Sequence, residues 1–113
     1  MKNIIETKSF ELAVDVIKLT RELRKEGIEH SLLNQLLRSG TSIGANVSEA
    51  QEAQSKKDFI SKMSIALKES LETRYWLKLL KEVDGLQNVC LLNQTNEIIS
   101  ILTKIVKSAK ANE

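Results

Sequence analysis

No proline interrupts the chain at any of its 113 positions, and only four glycines occur. Proline removes a backbone donor and clashes with the preceding helical turn, so its absence leaves long helices open along the whole chain. Aromatic residues are 4% of the sequence, and apolar residues as a class are 42%. A core built from this chain is therefore mostly Leu, Ile, Val and Ala. No stretch alternates with period two over a strand's length, and no internal repeat stands out. The length suits one domain.

Four amphipathic segments follow from period-3.6 spacing. The first is expected over residues 10–24, with Ser9 as its N-cap and Gly27 as its stop. It carries two apolar stripes. Phe10, Ala13, Val14 and Ile17 form one; Leu12, Val16, Leu19 and Leu23 form the other. The second segment covers 32–53, after His30 and Ser31, with Leu33, Leu36, Ile43 and Val47 on its apolar face. The third covers 56–83. Ser55 and Asp58 there have the capping-box spacing, and Asp84-Gly85 supplies a stop. The fourth covers 88–110. Four such segments on short connections predict an all-α fold, an antiparallel up-down-up-down four-helix bundle forming a single domain over residues 1–113.

Gly40 and Gly44 sit in the middle of the second segment, where each costs about 1 kcal/mol of helix stability relative to alanine. Four residues apart, they share a helix face and admit another backbone closely. A helix break at Ser39-Gly40 is the competing reading. A phosphate-binding turn lacks both the Walker and the dinucleotide glycine spacing. Ser42, Asn46 and Glu49 fall at i, i+4 and i+7 near these glycines. Such residues are costly to bury without partners, so they are either exposed or in polar contact with another helix or subunit.

Catalytic chemistry finds little to use. His30 is the single histidine and Cys90 the single cysteine, so an ordinary Cys/His zinc site is out of reach within one chain. Cys90, between Val89 and Leu91, is expected to be a buried, inert thiol, and His30 an exposed loop residue. Glu-x-x-His, the di-iron signature of bundles, is absent. Glu49, Glu69 and Glu72 could meet inside a bundle as a metal or acid–base site; otherwise they pair with Arg or Lys, or face solvent. No cofactor and no small-molecule substrate is expected. Tyr75-Trp76 is either an interface anchor or core filling.

The termini and charge bound the setting. Met1 to Glu6 holds no signal-peptide core, no apolar run nears the ~20 residues of a membrane span, and a lone cysteine fits a reducing compartment. These point to the cytoplasm. Seventeen Lys and Arg against fifteen Asp and Glu give a net charge of +2. That permits nucleic-acid binding without requiring it. Lys56, Lys57 and Lys62 at the start of the third segment, and Lys104, Lys107 and Lys110 on the fourth, are the basic clusters. A solvated face that complements the helix dipole is the plain reading of the second cluster.

The stretch from Arg38 to Ala50 (Arg-Ser-Gly-Thr-Ser-Ile-Gly-Ala-Asn-Val-Ser-Glu-Ala), with Ala66-Leu67-Lys68-Glu69-Ser70-Leu71-Glu72-Thr73-Arg74-Tyr75-Trp76-Leu77, resembles the bacterial four-helix-bundle proteins known as ribosomal-RNA intervening-sequence proteins. The resemblance covers nearly the whole chain. It implies an antiparallel four-helix subunit in a homopentameric, barrel-like assembly, and kinship with the strongly basic accessory protein of diversity-generating retroelements. It places Ser42, Asn46, Glu49, Glu69 and Glu72 at recurring polar positions without giving them a catalytic role. On this footing Leu12, Val16, Leu19 and Leu23 are expected to pack against a neighbouring subunit. RNA or an RNA-associated protein is the expected partner of a non-enzymatic scaffold. The near-balanced charge leaves a protein–protein adaptor as the alternative, and a carboxylate site as a minor one.

Overall fold

A computed structural model describes residues 3–112. Its elements are four helices: α1 (Ile4–Lys25), α2 (His30–Gln51), α3 (Lys56–Asp84) and α4 (Val89–Ala111). Each packs against two neighbours, in the order α1, α2, α3, α4 and back to α1. The cross-section is therefore a square, with α1 diagonal to α3 and α2 diagonal to α4. Side chains joining the ends of adjacent helices show that they run antiparallel. Asn3 donates to Gln51 at 3.2 Å, Arg24 to Asn34 at 2.8 Å, and Lys56 to the Asn112 carbonyl at 2.9 Å. The result is an elongated body of 47 × 24 × 20 Å.

The helix ends follow local chemistry. α1 starts earlier than Ser9. Asn3 accepts from the Glu6 N–H at 3.0 Å, and Glu6 accepts from the Asn3 N–H at 3.2 Å, a reciprocal cap. Ser9 is instead a buried residue inside the helix, its hydroxyl donating to the Glu6 carbonyl at 3.3 Å. At the other end Gly27 has φ 84°, and the Ile28 N–H closes onto the Leu23 carbonyl at 3.1 Å. This is the left-handed turn that favours glycine. His30 is the first residue of α2 rather than a loop residue, and it is exposed. Ser55 caps α3 through the Asp58 N–H at 3.0 Å, and α3 ends on Gly85 in the left-handed region.

The core reverses the expected roles of the two α1 stripes. Leu12 and Val16 are 0% exposed, and Leu19 and Leu23 are 7% and 6% exposed. They join Leu33, Leu36, Ile43 and Val47 of α2 and Leu91, Ile98 and Leu102 of α4 in one cluster. They leave no surface for a neighbouring subunit, which corrects their assignment to an intersubunit face. Phe10, Ala13 and Ile17 stay outside that cluster. Cys90 is also corrected: it is exposed. It is the second residue of α4, and a residue in the first turn of a helix can point past the end of the core.

Hydroxyls inside the bundle are answered locally. Ser9, Thr20, Ser39, Ser70, Thr73 and Thr95 are buried, and each hydroxyl reaches a carbonyl one turn back in its own helix. This removes the cost of burying an unmet hydroxyl. Trp76 is half-buried against the core, and its indole N–H finds no hydrogen-bond partner among the described residues.

α2 runs unbroken through both glycines. A Cβ at Gly40 would sit 2.9 Å from both methyl carbons of Val16, and one at Gly44 would sit 3.3 Å from the Ser9 carbonyl oxygen. α1 therefore lies against the bare backbone of α2. Val16 is fully buried and β-branched, so it has little rotamer freedom with which to yield. Gly40→Ala is expected to destabilise the fold by about 1–3 kcal/mol, the range for overpacking, despite alanine's better helix propensity. A urea melt checks this, and a more stable variant would mean that the helices separate at no cost. Leu19→Glu would place an unpaired carboxylate in the core. The expected loss is about 4 kcal/mol or more, read as a fall in melting temperature; an unchanged melt would contradict the core position of Leu19.

Candidate functional site

Three regions bring chemistry-bearing side chains together. The first is a polar seam between α2 and α3. Arg38 donates to Glu69 at 3.1 Å and also pairs with Glu72. The Glu69 side chain is 11% exposed, and the Arg38 side chain is half exposed. One guanidinium fork thus answers two carboxylates that a helical turn brings to the same side of α3. Beneath it, the Thr73 hydroxyl lies 3.0 Å from Ser39 Oγ and 2.8 Å from the Glu69 carbonyl. Its single proton serves one of these acceptors at a time.

The other polar positions do not join this seam. The Ser42 hydroxyl donates to the Arg38 carbonyl at 2.6 Å, and the Asn46 amide donates to the Ser42 carbonyl at 2.9 Å. Both are bonded along their own helix. Glu49 pairs with Lys62 at 3.5 Å. It stands eleven residues beyond Arg38, about 16 Å along the helix at 1.5 Å per residue. Glu49, Glu69 and Glu72 therefore do not converge, and the expected three-carboxylate site is not formed. Among the described residues no group of three His, Cys, Asp or Glu side chains is placed to hold a metal ion.

The second region unites the two basic clusters. The antiparallel pairing of α3 and α4 sets the start of one beside the end of the other, and Lys56 touches Asn112 directly. Lys56, Lys57, Lys104, Lys107 and Lys110 are all exposed. At 1.5 Å per residue, Lys104 is only about 12 Å along α4 from Asn112. None of these five forms an ion pair among the described residues, whereas Lys62 is held by Glu49. The sequence names both clusters; the helix pairing makes them one surface.

The third region escaped sequence reasoning. At the opposite end of the bundle a cavity of about 520 Å³ opens between the end of α1, the end of α3 and the start of α4. Glu22, Glu26, Asp84 and Cys90 line it, over Leu19, Leu23 and Leu80. Its walls come from three distant stretches, so no local motif announces it. Among the described residues, no helix is long and apolar enough to cross a membrane.

Comparison with known proteins gives these features a setting. The family model described as 23S rRNA-intervening sequence protein matches residues 1–107. A crystal structure from Bacteroides thetaiotaomicron VPI-5482, of a protein with unknown function from the S23 ribosomal protein family, superposes with a TM-score of 0.88. It is 45% identical, and the match covers 92% of this chain and 99% of that one. No match is found among curated proteins. The family match spans nearly the full length, and the four-helix fold accords with the structural match. The chain belongs to the 23S rRNA-intervening sequence protein family.

Proposed function

We propose that the chain is a subunit of a non-enzymatic, cytoplasmic, homopentameric helical scaffold that binds RNA through the lysine-rich end of α3 and α4. One observation carries this reading. Two basic clusters, more than forty residues apart in sequence, meet on one exposed surface with five lysines free of ion pairs among the described residues. Phosphate binding is driven by the release of counterions, and it needs clustered charge rather than a high net charge. A net charge of +2 is compatible with this, because acids elsewhere offset the cluster in the sum but not in space.

The polar seam has a structural role in this reading. Arg38 is shared between Glu69 and Glu72, so the three side chains tie α2 to α3. A protein–protein adaptor without nucleic-acid affinity is the outcome to test against.

The test is RNA binding to the purified chain over a salt series. For single strands the logarithm of the binding constant falls with the logarithm of salt at a slope of about −0.7 per phosphate neutralised. Replacing Lys57, Lys107 and Lys110 together by Gln is expected to weaken binding and to lower that slope by about 2, with assembly mass unchanged. Binding that ignores the three substitutions would move the RNA surface elsewhere. No binding at low salt would favour the adaptor.

A further inference from the structure

The cavity between the ends of α1 and α3 does not stop at the tip. A second hollow, of about 250 Å³, runs on from it between α1 and α4, and the two share Leu19, Glu22, Asn88 and Cys90 in their walls. Together they make a trough with an apolar floor. Buried Leu19, Leu23 and Leu80 line its wide end, and Leu19 and Leu91 its narrow one. The wide end alone falls within the roughly 300–1,000 Å³ of small-molecule sites.

The charge along this trough is lopsided. Among the described residues Asp15, Glu22, Glu26 and Asp84 line it against Lys18, and no ion pair reaches any of these side chains. α1 and α3 both end at the trough, and the C-terminal end of a helix carries partial negative charge. α4 begins there, its first turn capped by Asn88, which accepts from the Leu91 N–H at 2.9 Å. At the inner end the Gln94 amide N–H donates to Asp15 at 3.1 Å. A carboxylate only accepts, so this bond orients the amide and settles which of its atoms is the carbonyl oxygen. That oxygen is buried and has no hydrogen-bond partner among the described residues, a costly state that a donor on a ligand would relieve.

The acids are spread rather than gathered. Asp15, Glu22 and Glu26 fall at i, i+7 and i+11 on one face of α1, about 10 Å and then about 6 Å apart along the axis. Leu19 lies between the first two. Among the described residues no three acids, thiols or imidazoles are placed to hold a metal ion, and a single ammonium cannot reach all three carboxylates. Positive charges separated by short apolar stretches match the pattern. We propose that the trough binds a linear aliphatic polyamine, with its ammonium groups at the carboxylates and the Gln94 carbonyl and its methylenes over Leu19. The site stands at the tip opposite the lysines and depends on neither RNA binding nor assembly.

The test is equilibrium dialysis of the purified chain against spermidine, a linear triamine, at low ionic strength and without RNA. One molecule per chain is expected at saturation. n-Butylamine, with a single ammonium, is expected to bind more weakly by about tenfold or more, because its charge reaches one carboxylate at a time. Glu22→Gln with Glu26→Gln, both at exposed positions, is expected to weaken spermidine binding about tenfold, the order set by two exposed ion pairs. Gln94→Met removes the carbonyl at similar length and is expected to weaken it about threefold. Glu49→Gln with Glu52→Gln makes the same change of charge at exposed positions at the other tip and is expected to leave binding unchanged. Circular dichroism verifies folding, and the Glu22 and Glu26 pair decides alone if Gln94→Met does not fold. No saturable binding, equal binding of n-butylamine, full affinity in a folded trough variant, or an equal loss in the Glu49 and Glu52 variant overturns the site.

Discussion

The approach of α1 to α2 at Gly40 governs the placement of the other helices. The missing side chain lets Val16 rest on α2 backbone, and the residues immediately before Gly40 face the other way round the helix. Ser39 meets Thr73, and Arg38 meets Glu69 and Glu72, all on α3. Three consecutive residues therefore fix α2 against two neighbours. Steric fit sets the distance on one side. Directional hydrogen bonds set the register on the other. If α3 slid by a turn along α2, Glu69 would lose its guanidinium partner and become a nearly buried, unpaired carboxylate, a costly state.

Much of this arrangement can be read from the residues. The lack of proline and the 3.6-residue spacing locate four helices. Ser55 with Asp58, and Asp84 with Gly85, mark the limits of α3 because capping depends on local backbone donors and acceptors. The start of α1 has an equally local signal in Asn3 and Glu6, which a preference for Ser9 overlooks. The close approach expected of Gly40 and Gly44 has a clear geometric basis, since a Cβ at Gly40 would collide with Val16.

The rotation of α1 is a different kind of problem. Both of its stripes have helical spacing, and periodicity alone does not say which faces inward. The long aliphatic set of Leu12, Val16, Leu19 and Leu23 fills the interior, where branched chains interlock. Phe10, Ala13 and Ile17 lie over the seam with α2. The candidate site shows the same division. Each lysine cluster is visible in sequence, but their union depends on helix pairing. The destination of Glu69 and Glu72 depends on Arg38, which lies more than thirty positions away. Cys90 is misjudged from its apolar neighbours, because a helix start does not bury what a helix middle would.

The two ends of the molecule are chemically unlike. Lysines crowd the junction of the α3 start and the α4 end. Carboxylates and a thiol rim the cavity at the far end of a body 47 Å long. The bundle is therefore a vector. Whatever occupies the carboxylate-rimmed cavity at one tip therefore stands clear of whatever meets the lysines at the other.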